Sequence, residues 1–414
     1  MISTSIENKG LKSITFNDRV ASMQPSATLA MTAAAKTLKA AGHAIIGLSA
    51  GEPDFDTPEL VSEAGIGAIR SGQTRYTHNL GMPELRAEIS RKLLRDNELA
   101  YDSEHIICSN GAKQSVALVV SVLCRDGDEV LIPAPYWVSY PEMVRFAGGV
   151  PIAIPTTVDS NYLLSPEQLE AAITKKTKIL ILCSPSNPTG SVYSQAQMEG
   201  LAAVLRKHPH IFVISDEIYE HIIYDAKHIS MASIDGMKEQ TITVNGFSKA
   251  FAMTGWRLGY FAARPDIVKA ASKLQSQMTS APSTIAQVAG IAALRLDHAV
   301  IQKMVDQFRK RRDMVVESMR SIPGVKCPTP DGAFYVFPDI GAYLGGRTKS
   351  GREIKSSTDL CMYLLEEHDV ALVPGDAFGG ERGMRISYAA SDSDLIEACK
   401  RIHSAFSDIV RVTS

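Results

Sequence analysis

The stretch KILILCSPSNPTGSVYSQAQMEGLAAVLRKHPHIFVISDEIY, residues 178–219, decides the fold. It contains two apolar runs, 178–183 and 211–215, separated by a segment rich in helix-forming residues. Strands that are apolar on both faces and alternate with helices are typical of parallel sheets covered on both sides. Further apolar runs of this kind lie at 105–108, 129–133 and 241–245. The sequence therefore predicts an α/β protein with a mostly parallel sheet between helices.

The pattern changes near residue 300, where AVIQKMVDQFRKRRDMVVESMRS (299–321) predicts a long charged helix. Short separate strands and a terminal helix follow it. The chain has 414 residues, enough for two domains of ordinary size. We predict three parts, which are an N-terminal arm of residues 1–25, a large domain of 60–300, and a smaller α+β domain built from 26–59 and 301–414.

Composition and charge narrow the class of protein. With 45% hydrophobic and 21% charged residues, the chain has the composition of an ordinary globular protein. A formal net charge of −2 provides no basic field for nucleic acid. No apolar run reaches the roughly 18 residues that a membrane span needs. Six cysteines without a C-x-x-C pair, and a start without an apolar signal region, indicate a reducing, cytoplasm-like compartment.

Residues that could bind a ligand follow the predicted strands. Ligands of an open parallel sheet bind outside the carboxyl ends of its strands. Small residues after the strand at 105–108 open a helix, whose first N–H groups and dipole suit a phosphate. The other strand ends carry an aromatic residue, an amide between two prolines, a carboxylate with a tyrosine, and a lysine with a serine and an arginine. The candidates are Gly111, Ala112, Lys113, Trp137, Asn187, Asp216, Tyr219, Ser248, Lys249 and Arg257.

Lys249 lies among small and aromatic residues in TVNGFSKAFAMTGWRLGY, residues 243–260. Desolvation in an apolar pocket favours the neutral amine, which can form a Schiff base with an aldehyde. Pyridoxal 5′-phosphate needs such a lysine, an acidic residue for its ring nitrogen and donors for its phosphate. Because the strand ends supply a candidate for each requirement, the sequence predicts that this cofactor binds here.

Two further residues indicate a substrate site. Arg385 lies on a predicted strand in GMRISYAAS (383–391), where its planar fork could bind an α-carboxylate. Gly51, in LSAGEPDFDTP (48–58), would let backbone approach a ligand closely. The structural alternatives are an edge-strand arginine and an ordinary turn glycine.

Four motifs, in chain order, resemble those of the class-I aminotransferases of pyridoxal-phosphate fold type I. They are SPSNPTG at 184–190, SDEIYEHIIY at 215–224, GFSKAFAMTGWRLGY at 246–260 and MRISYAAS at 384–391. With LSAGEPDFDTP and PAPYWVSYPEMVRFAGG (133–149), the resemblance narrows to the aspartate aminotransferase branch. This branch is similar also to enzymes that aminate prephenate. The resemblance implies transamination of aspartate with 2-oxoglutarate through pyridoxamine phosphate, or aspartate/glutamate–prephenate transamination forming arogenate.

The resemblance also implies roles around the cofactor. Lys249 would form the Schiff base and then move the proton of the substrate Cα. Asp216 would contact the ring nitrogen, Tyr219 and Asn187 the phenolic oxygen, and Trp137 the ring face. The phosphate would be held by Gly111, Ala112, Lys113, Ser248 and Arg257.

On the substrate side, the resemblance implies that Arg385 binds the α-carboxylate, with Gly51, Trp137 and Asn187 lining the site. Tyr76 would reach the phosphate of the partner subunit's site, so a homodimer with shared active sites is expected.

Three positions bear on specificity. Gln24 stands where many relatives have a lysine that binds the side-chain carboxylate of dicarboxylic substrates. Thr28 and Lys113, in contrast, match the relatives that use prephenate. The expected partners are amino acids and 2-oxo acids, with neither nucleic acid nor membrane.

Several alternatives remain open at this level. An aromatic or alanine aminotransferase, or a carbon–sulfur β-lyase, would retain Lys249, Asp216 and Arg385. A non-enzymatic cofactor-binding sensor of transcription would need an N-terminal DNA-binding module, for which the strand beginning by about Ala44 leaves no room. No G-x-G-x-x-G follows a strand, which argues against a dinucleotide-binding dehydrogenase. No metal is expected, because His221 and His228 lack metal-site spacing. A plastid stroma is the alternative compartment for a mature plant-type enzyme.

Overall fold

The structure, a computed structural model, describes residues 14–411. The first half of the predicted N-terminal arm, residues 1–13, therefore lies outside the described residues. The helices are α1 Asp18–Ala21, α2 Ala27–Ala40, α3 Glu59–Arg70, α4 Pro83–Asn97, α5 Ala112–Leu123, α6 Ser139–Ala147, α7 Pro166–Ala172, α8 Gln195–Leu205, α9 Pro265–Met278, α10 Thr284–Leu294, α11 His298–Arg320, α12 Ser357–His368 and α13 Asp392–Ser407. The strands are β1 Ile46–Gly47, β2 Ile106–Ser109, β3 Glu129–Ala134, β4 Val150–Pro155, β5 Thr177–Cys183, β6 Phe212–Asp216, β7 Thr241–Gly246, β8 Gly259–Ala262, β9 Tyr335–Val336, β10 Arg347–Thr348, β11 Val370–Ala371, β12 Val373–Pro374, β13 Met384–Ser387 and β14 Ile409–Val410.

Seven strands form the central sheet, in the order β2-β8-β7-β6-β5-β3-β4. All neighbouring strands are parallel except β8, which is antiparallel to both β2 and β7. The prediction of a mostly parallel sheet is therefore confirmed. The apolar runs that carried the prediction form β2, β3, β5, β6 and β7.

The sequence of β5 shows why its apolar run is continuous. Ile179 and Ile181 pack into a core under one face of the sheet, with Val116 of α5 and Val144 of α6. Leu180 and Leu182 point to the opposite face, where they meet residues of α7 and α8. Alternate side chains of a strand face opposite sides, so a strand buried on both faces has no solvent-facing position.

The two ends of the chain meet around small sheets. β1 pairs in parallel with β11, with Ile46 opposite Val370. β13 pairs antiparallel with both β12 and β9. The long helix predicted near residue 300 is α11. Gly42, two residues after α2, has a positive φ of 100°. The proposed domain boundaries themselves remain a prediction.

Two strands of the central sheet, β4 and β8, were not predicted. β4, VPIAIP, contains Pro151 and Pro155 and is only partly buried, as an edge strand permits. β8 has only four residues and begins within the segment 243–260 that contains Lys249, so no separate apolar run marks it. No single helix within residues 14–411 is long and apolar enough to cross a membrane, and α10 with α11 qualifies by length and composition only as a pair bent by 88°.

Candidate active site

A cavity of about 500 Å³ lies at the carboxyl ends of the central strands, as expected for this sheet type. Residues from α2, from the loop after β1 and from β13 close its other sides. The predicted residues that line it are Thr28, Gly51, Ala112, Lys113, Trp137, Asn187, Asp216, Tyr219, Ser248, Lys249, Arg257 and Arg385. The structure therefore brings together residues from both chain ends and from five strand ends.

Three predicted residues lie outside this lining. Gly111 directly precedes α5, and the next two residues, Ala112 and Lys113, line the cavity in its place. Gln24 lies beside α6, where its backbone N–H donates to Glu142 Oε2 at 2.9 Å. Tyr76 extends from the surface, with 97% of the residue exposed.

One end of the cavity is formed by the first turn of α5. Gly111 has a φ of +86°, and a Cβ there would lie 2.5 Å from Arg257 Nη2. A Cβ at Gly259 would lie 2.3 Å from the backbone nitrogen of Ala112. Both glycines therefore permit a close approach between β8, Arg257 and the helix start. The first N–H groups of a helix have no intrahelical acceptor, and together with a guanidinium they suit a phosphate.

Lys113 lies beside the same end of the cavity. Its Nζ is 4.9 Å from the centroid of the Trp137 ring. Burial, and then the charge of Arg257, lower the pKa of Lys113. A bound anion would restore a favourable partner for both cations.

Lys249 is partly accessible through the cavity, and its Nζ donates a hydrogen bond to the carbonyl oxygen of Gly51. Desolvation, followed by the charges of Arg385 and Arg257, lowers the pKa of Lys249 to about 8, whereas Glu52 acts in the opposite direction. The neutral, nucleophilic amine is therefore far more populated near pH 8 than in an ordinary lysine.

Asp216 ends β6 and is only 4% exposed. Its Oδ2 accepts a hydrogen bond from the Tyr140 hydroxyl at 2.7 Å, and its Oδ1 accepts one from the Ile218 backbone at 3.3 Å. Burial raises the pKa of Asp216 to about 6, against the effect of these hydrogen bonds. A buried carboxylate of this kind suits a cationic partner such as a protonated ring nitrogen.

Arg385 is a buried cation on β13, only 2% exposed. Its Nη1 donates to Asn187 Oδ1 at 3.0 Å and its Nη2 to the Ser49 carbonyl at 2.6 Å. Its Nε is buried and has no acceptor within the described part of the chain. Burial lowers the pKa of Arg385, and the groups that oppose this effect are Tyr335 and Tyr219 rather than a carboxylate. A buried guanidinium with an orphaned donor is suited to an anionic ligand.

Tyr219 lines the cavity and packs against Tyr335, whose ring lies 4.6 Å from the Arg385 guanidinium. Their hydroxyls are 2.9 Å apart, and burial raises the pKa of Tyr219 well above its ordinary value. A Cβ at Gly51 would lie 3.0 Å from the Tyr335 hydroxyl, so a larger residue than glycine would be crowded there. Tyr335 contacts the predicted residues although sequence reasoning missed it.

Other residues of the site were also missed. Tyr140 is three residues after Trp137, a helical spacing that could have shown that both side chains share a face. Glu52 follows Gly51 directly in the quoted motif. The remaining cavity-lining residues that were not predicted are Ser26, Leu29, Thr32, Ala50, Val138, Ser139, Cys183, Ile218 and Thr254.

Beneath the site, Glu217, Glu220 and His228 place potential metal ligands within 4.8 Å of one another. His228 Nε2 lies 3.0 Å from Glu217 Oε2, and Glu220 forms a buried ion pair with Lys92. Burial alone would lower the pKa of His228, but Glu217 and Glu220 raise it above its ordinary value. Paired charges explain this cluster, and the absence of a metal remains a prediction.

The segment after Lys249 is attached to the loop after β1 by the hydroxyl of Thr57. This hydroxyl donates to the Ala252 carbonyl at 2.8 Å and accepts from Trp256 Nε1 at 3.1 Å. Ala252 and Arg257 have positive φ values of 48° and 54°, a region that costs a residue with a side chain about 1–2 kcal/mol. The Thr57 contacts therefore help to hold a strained turn between the lysine and Arg257.

Replacing Thr57 with valine keeps the shape but leaves the Ala252 carbonyl and the Trp256 N–H without a partner. We expect the free energy of unfolding to fall by about 1–3 kcal/mol and the affinity for pyridoxal phosphate to weaken. Thr57→Ser, which retains the hydroxyl, should behave like the unchanged protein. Thermal unfolding and a cofactor titration measure both effects, and an unchanged valine variant would show that the strained turn does not depend on this hydroxyl.

The fold and this set of residues define a pyridoxal-phosphate-dependent aminotransferase. The family model for aminotransferase class I and II matches residues 43–402, and the chain belongs to this family, whose members use pyridoxal phosphate. The resemblance stated from the motifs, the fold class and the cofactor are thereby confirmed.

Relatives and solved structures agree with this family. A bifunctional aspartate aminotransferase and glutamate/aspartate-prephenate aminotransferase of Petunia hybrida is 54% identical over 396 residues, covering 95% of this chain and 83% of that protein. The crystal structure of the aspartate aminotransferase from Rhizobium meliloti has a TM-score of 0.93 and 44% identity, covering 96% of this chain and 100% of that one. The Thermus thermophilus aspartate aminotransferase with maleate has a TM-score of 0.89 and 40% identity, covering 95% and 100%.

Proposed function

We propose that this aminotransferase transfers the amino group of aspartate to 2-oxoglutarate, giving oxaloacetate and glutamate. One observation carries the proposal. The buried guanidinium of Arg385, with its orphaned Nε, lines the same cavity as the amine of Lys249. The names of the Petunia and Rhizobium relatives support aspartate as the amino donor. The maleate of the Thermus structure, a dicarboxylate, supports a substrate with two carboxylates.

The cavity contains one group for each requirement of the cofactor. Bound pyridoxal phosphate supplies an aldehyde that combines with amines and a ring that accepts electron density from the substrate Cα. Lys249 would provide the nucleophilic amine, and its free amine would move the proton of the substrate Cα. The carboxylate of Asp216 would favour a positive charge on the ring nitrogen, which would make the ring a better electron acceptor.

The remaining contacts orient the ring. Tyr219 and Asn187 both line the cavity and would donate to the phenolic oxygen, while Trp137 would cover one face of the ring. The N–H groups of Ala112 and Lys113 at the start of α5, with Ser248 and Arg257, would hold the phosphate. Gly111 contributes by leaving space for the guanidinium of Arg257.

Arg385 binds the substrate α-carboxylate through its planar fork, with Gly51 leaving the approach open. Asn187 accepts a hydrogen bond from the same guanidinium, so the α-carboxylate and the phenolic oxygen are positioned by neighbouring groups. The Cα proton of a substrate held at Arg385 would then lie within reach of Lys249.

A second candidate is transamination of prephenate with aspartate or glutamate. The observation that favours it is that Thr28 and Lys113 both line the cavity, whereas Gln24 does not. The resemblance of the motifs links these two positions to prephenate-using members of the family, and the Petunia relative is named a glutamate/aspartate-prephenate aminotransferase. Aromatic and alanine aminotransferases and β-lyases would use the same central residues, so the acceptor must be tested directly.

A two-step reaction discriminates these functions. The purified protein is first converted with aspartate to the amino form of its cofactor, and the excess aspartate is removed. Oxaloacetate, 2-oxoglutarate, prephenate, phenylpyruvate or pyruvate is then added, and recovery of the original visible spectrum is followed. Recovery with 2-oxoglutarate and oxaloacetate at least about tenfold faster than with phenylpyruvate or pyruvate is expected. Equally fast recovery with prephenate would establish the bifunctional activity, and release of ammonia without an acceptor would identify a lyase.

We also propose a homodimer in which Tyr76 contacts the phosphate in the partner subunit's site. Its 97% exposure in the single chain supports a contact with another molecule.

We also propose that residues 26–59 and 301–414 form the smaller domain and that residues 60–300 form the larger one. A reducing compartment, either the cytoplasm or a plastid stroma, is supported by the six cysteines, which are all free.

A further inference from the structure

Tyr140 is the closest hydrogen-bond donor to Asp216 among the described residues. Its hydroxyl lies 2.7 Å from Oδ2, whereas the Ile218 N–H is 3.3 Å from Oδ1. Tyr140 is 2% exposed, so water does not compete for this bond. Each carboxylate oxygen has two lone pairs, and the bond to Tyr140 leaves others free for a ring N–H.

The surroundings of Asp216 otherwise favour its protonated form. Burial is the main effect, and the adjacent carboxylate of Glu217 acts in the same direction. Lys249 opposes them from the segment after β7, and the thiol of Cys183 lies opposite on β5. Burial raises the pKa of Tyr140 well above its ordinary value, so its hydroxyl stays protonated and remains a donor across the working pH range.

Tyr140 is fixed by the same turn that carries Trp137. The backbone N–H of Tyr140 donates to the Trp137 carbonyl at 3.0 Å. The two rings meet edge to face, with centroids 5.2 Å apart and planes at 86°. One turn at the start of α6 thus supplies both the residue beside the cavity and the donor beneath Asp216.

We infer that Tyr140 is a positioning residue, which keeps the Asp216 carboxylate ionised and oriented toward the ring nitrogen of the cofactor. This inference rests on the proposed role of Asp216 and assigns to a buried tyrosine the task of maintaining it. The hydrogen bond stabilises the carboxylate more than the carboxylic acid. Loss of the hydroxyl therefore raises the pKa of Asp216 and frees the carboxylate to rotate.

The test is the Tyr140→Phe variant of the full chain, freed of cofactor and titrated with pyridoxamine 5′-phosphate. This probe has no aldehyde, so its binding does not include bond formation with Lys249. At pH 7 we expect the Kd to rise about tenfold or more, because hydrogen bonds to charged groups are among the stronger ones. The pKa of Asp216 is about 6 in the unchanged protein. Raising it protonates more of Asp216 at pH 7, so the defect should grow toward pH 6 and shrink toward pH 9.

The matched control is Tyr363→Phe. Tyr363 is also 2% exposed, and its hydroxyl lies 2.9 Å from His368 Nε2 on α12, away from the cavity. This variant removes a buried hydroxyl of the same kind and should bind the probe with the Kd and pH profile of the unchanged protein. Thermal unfolding of both variants shows that each is folded.

The outcomes distinguish a failure of the positioning role of Tyr140 from a failure of the proposed function. A Tyr140→Phe protein with an unchanged Kd, or with a loss that is the same at every pH, overturns the positioning role. If the unchanged protein fails to bind the probe, the proposed function itself is wrong. A pH-dependent loss in Tyr140→Phe alone supports the inference.

Discussion

Lys249→Ala is expected to lower kcat by roughly 10²–10⁴-fold or more, the range associated with losing a positioned proton-transfer group. The change removes the amine proposed to combine with the aldehyde of the cofactor and to move the Cα proton. The structure supplies the physical reason, since the pKa of Lys249 is lowered to about 8 by its surroundings. Initial rates with aspartate and 2-oxoglutarate, and the visible spectrum of the purified variant, measure the loss.

Two further variants make this result specific. Lys249→Arg keeps a positive charge but provides no nucleophilic amine, so it should be nearly as inactive as the alanine variant. Lys227→Ala removes an exposed lysine and should leave the rate unchanged. More than a tenth of the original activity in both Lys249 variants would mean that another residue performs the chemistry.

Arg385→Ala is expected to lower kcat/KM by about 10²–10³-fold for every amino-acid substrate, whatever its side chain. The reason is that the α-carboxylate, common to all these substrates, would lose its buried partner. Arg385→Lys should recover only part of the loss, because an ammonium cannot form the two parallel hydrogen bonds of a guanidinium. Steady-state kinetics with aspartate, glutamate and an aromatic amino acid measure the effect.

The control for Arg385 is Arg382→Ala. Arg382 lies three residues earlier, is largely exposed at its side chain and pairs with Asp339 outside the cavity. Its loss should have little effect on kcat/KM. If Arg385→Ala impaired only dicarboxylic substrates, the arginine would belong to the side-chain subsite instead.

Much of the sheet could be predicted because its central strands are buried on both faces. In β5 the buried residues 179–182 and in β6 the buried residues 213–214 are all apolar, so the sequence contains continuous apolar runs. The ends of these runs then located Asn187 and Asp216 near one another. β4 could not be found in this way, because an edge strand tolerates the prolines that normally break a strand.

The site was predictable only as far as its residues follow strands or familiar motifs. Tyr335 contacts Tyr219 and Arg385 through tertiary packing, and no local pattern distinguishes it from a core tyrosine. The helical spacing of Tyr140 from Trp137 indicates a shared face but not its contact with Asp216. Glu52 required the observation that the loop after β1 lies against the segment after Lys249. The contact proposed for Tyr76 is with a second subunit, so a single chain does not display it.

The central claim is that Lys249, Asp216 and Arg385 form one site that removes the amino group of aspartate. It is tested most directly by mixing the purified, cofactor-loaded protein with aspartate alone. The account predicts that the visible absorbance of the cofactor bleaches while about one oxaloacetate forms per active site, and that a 2-oxo acid reverses the change. An unchanged spectrum without oxaloacetate would contradict it.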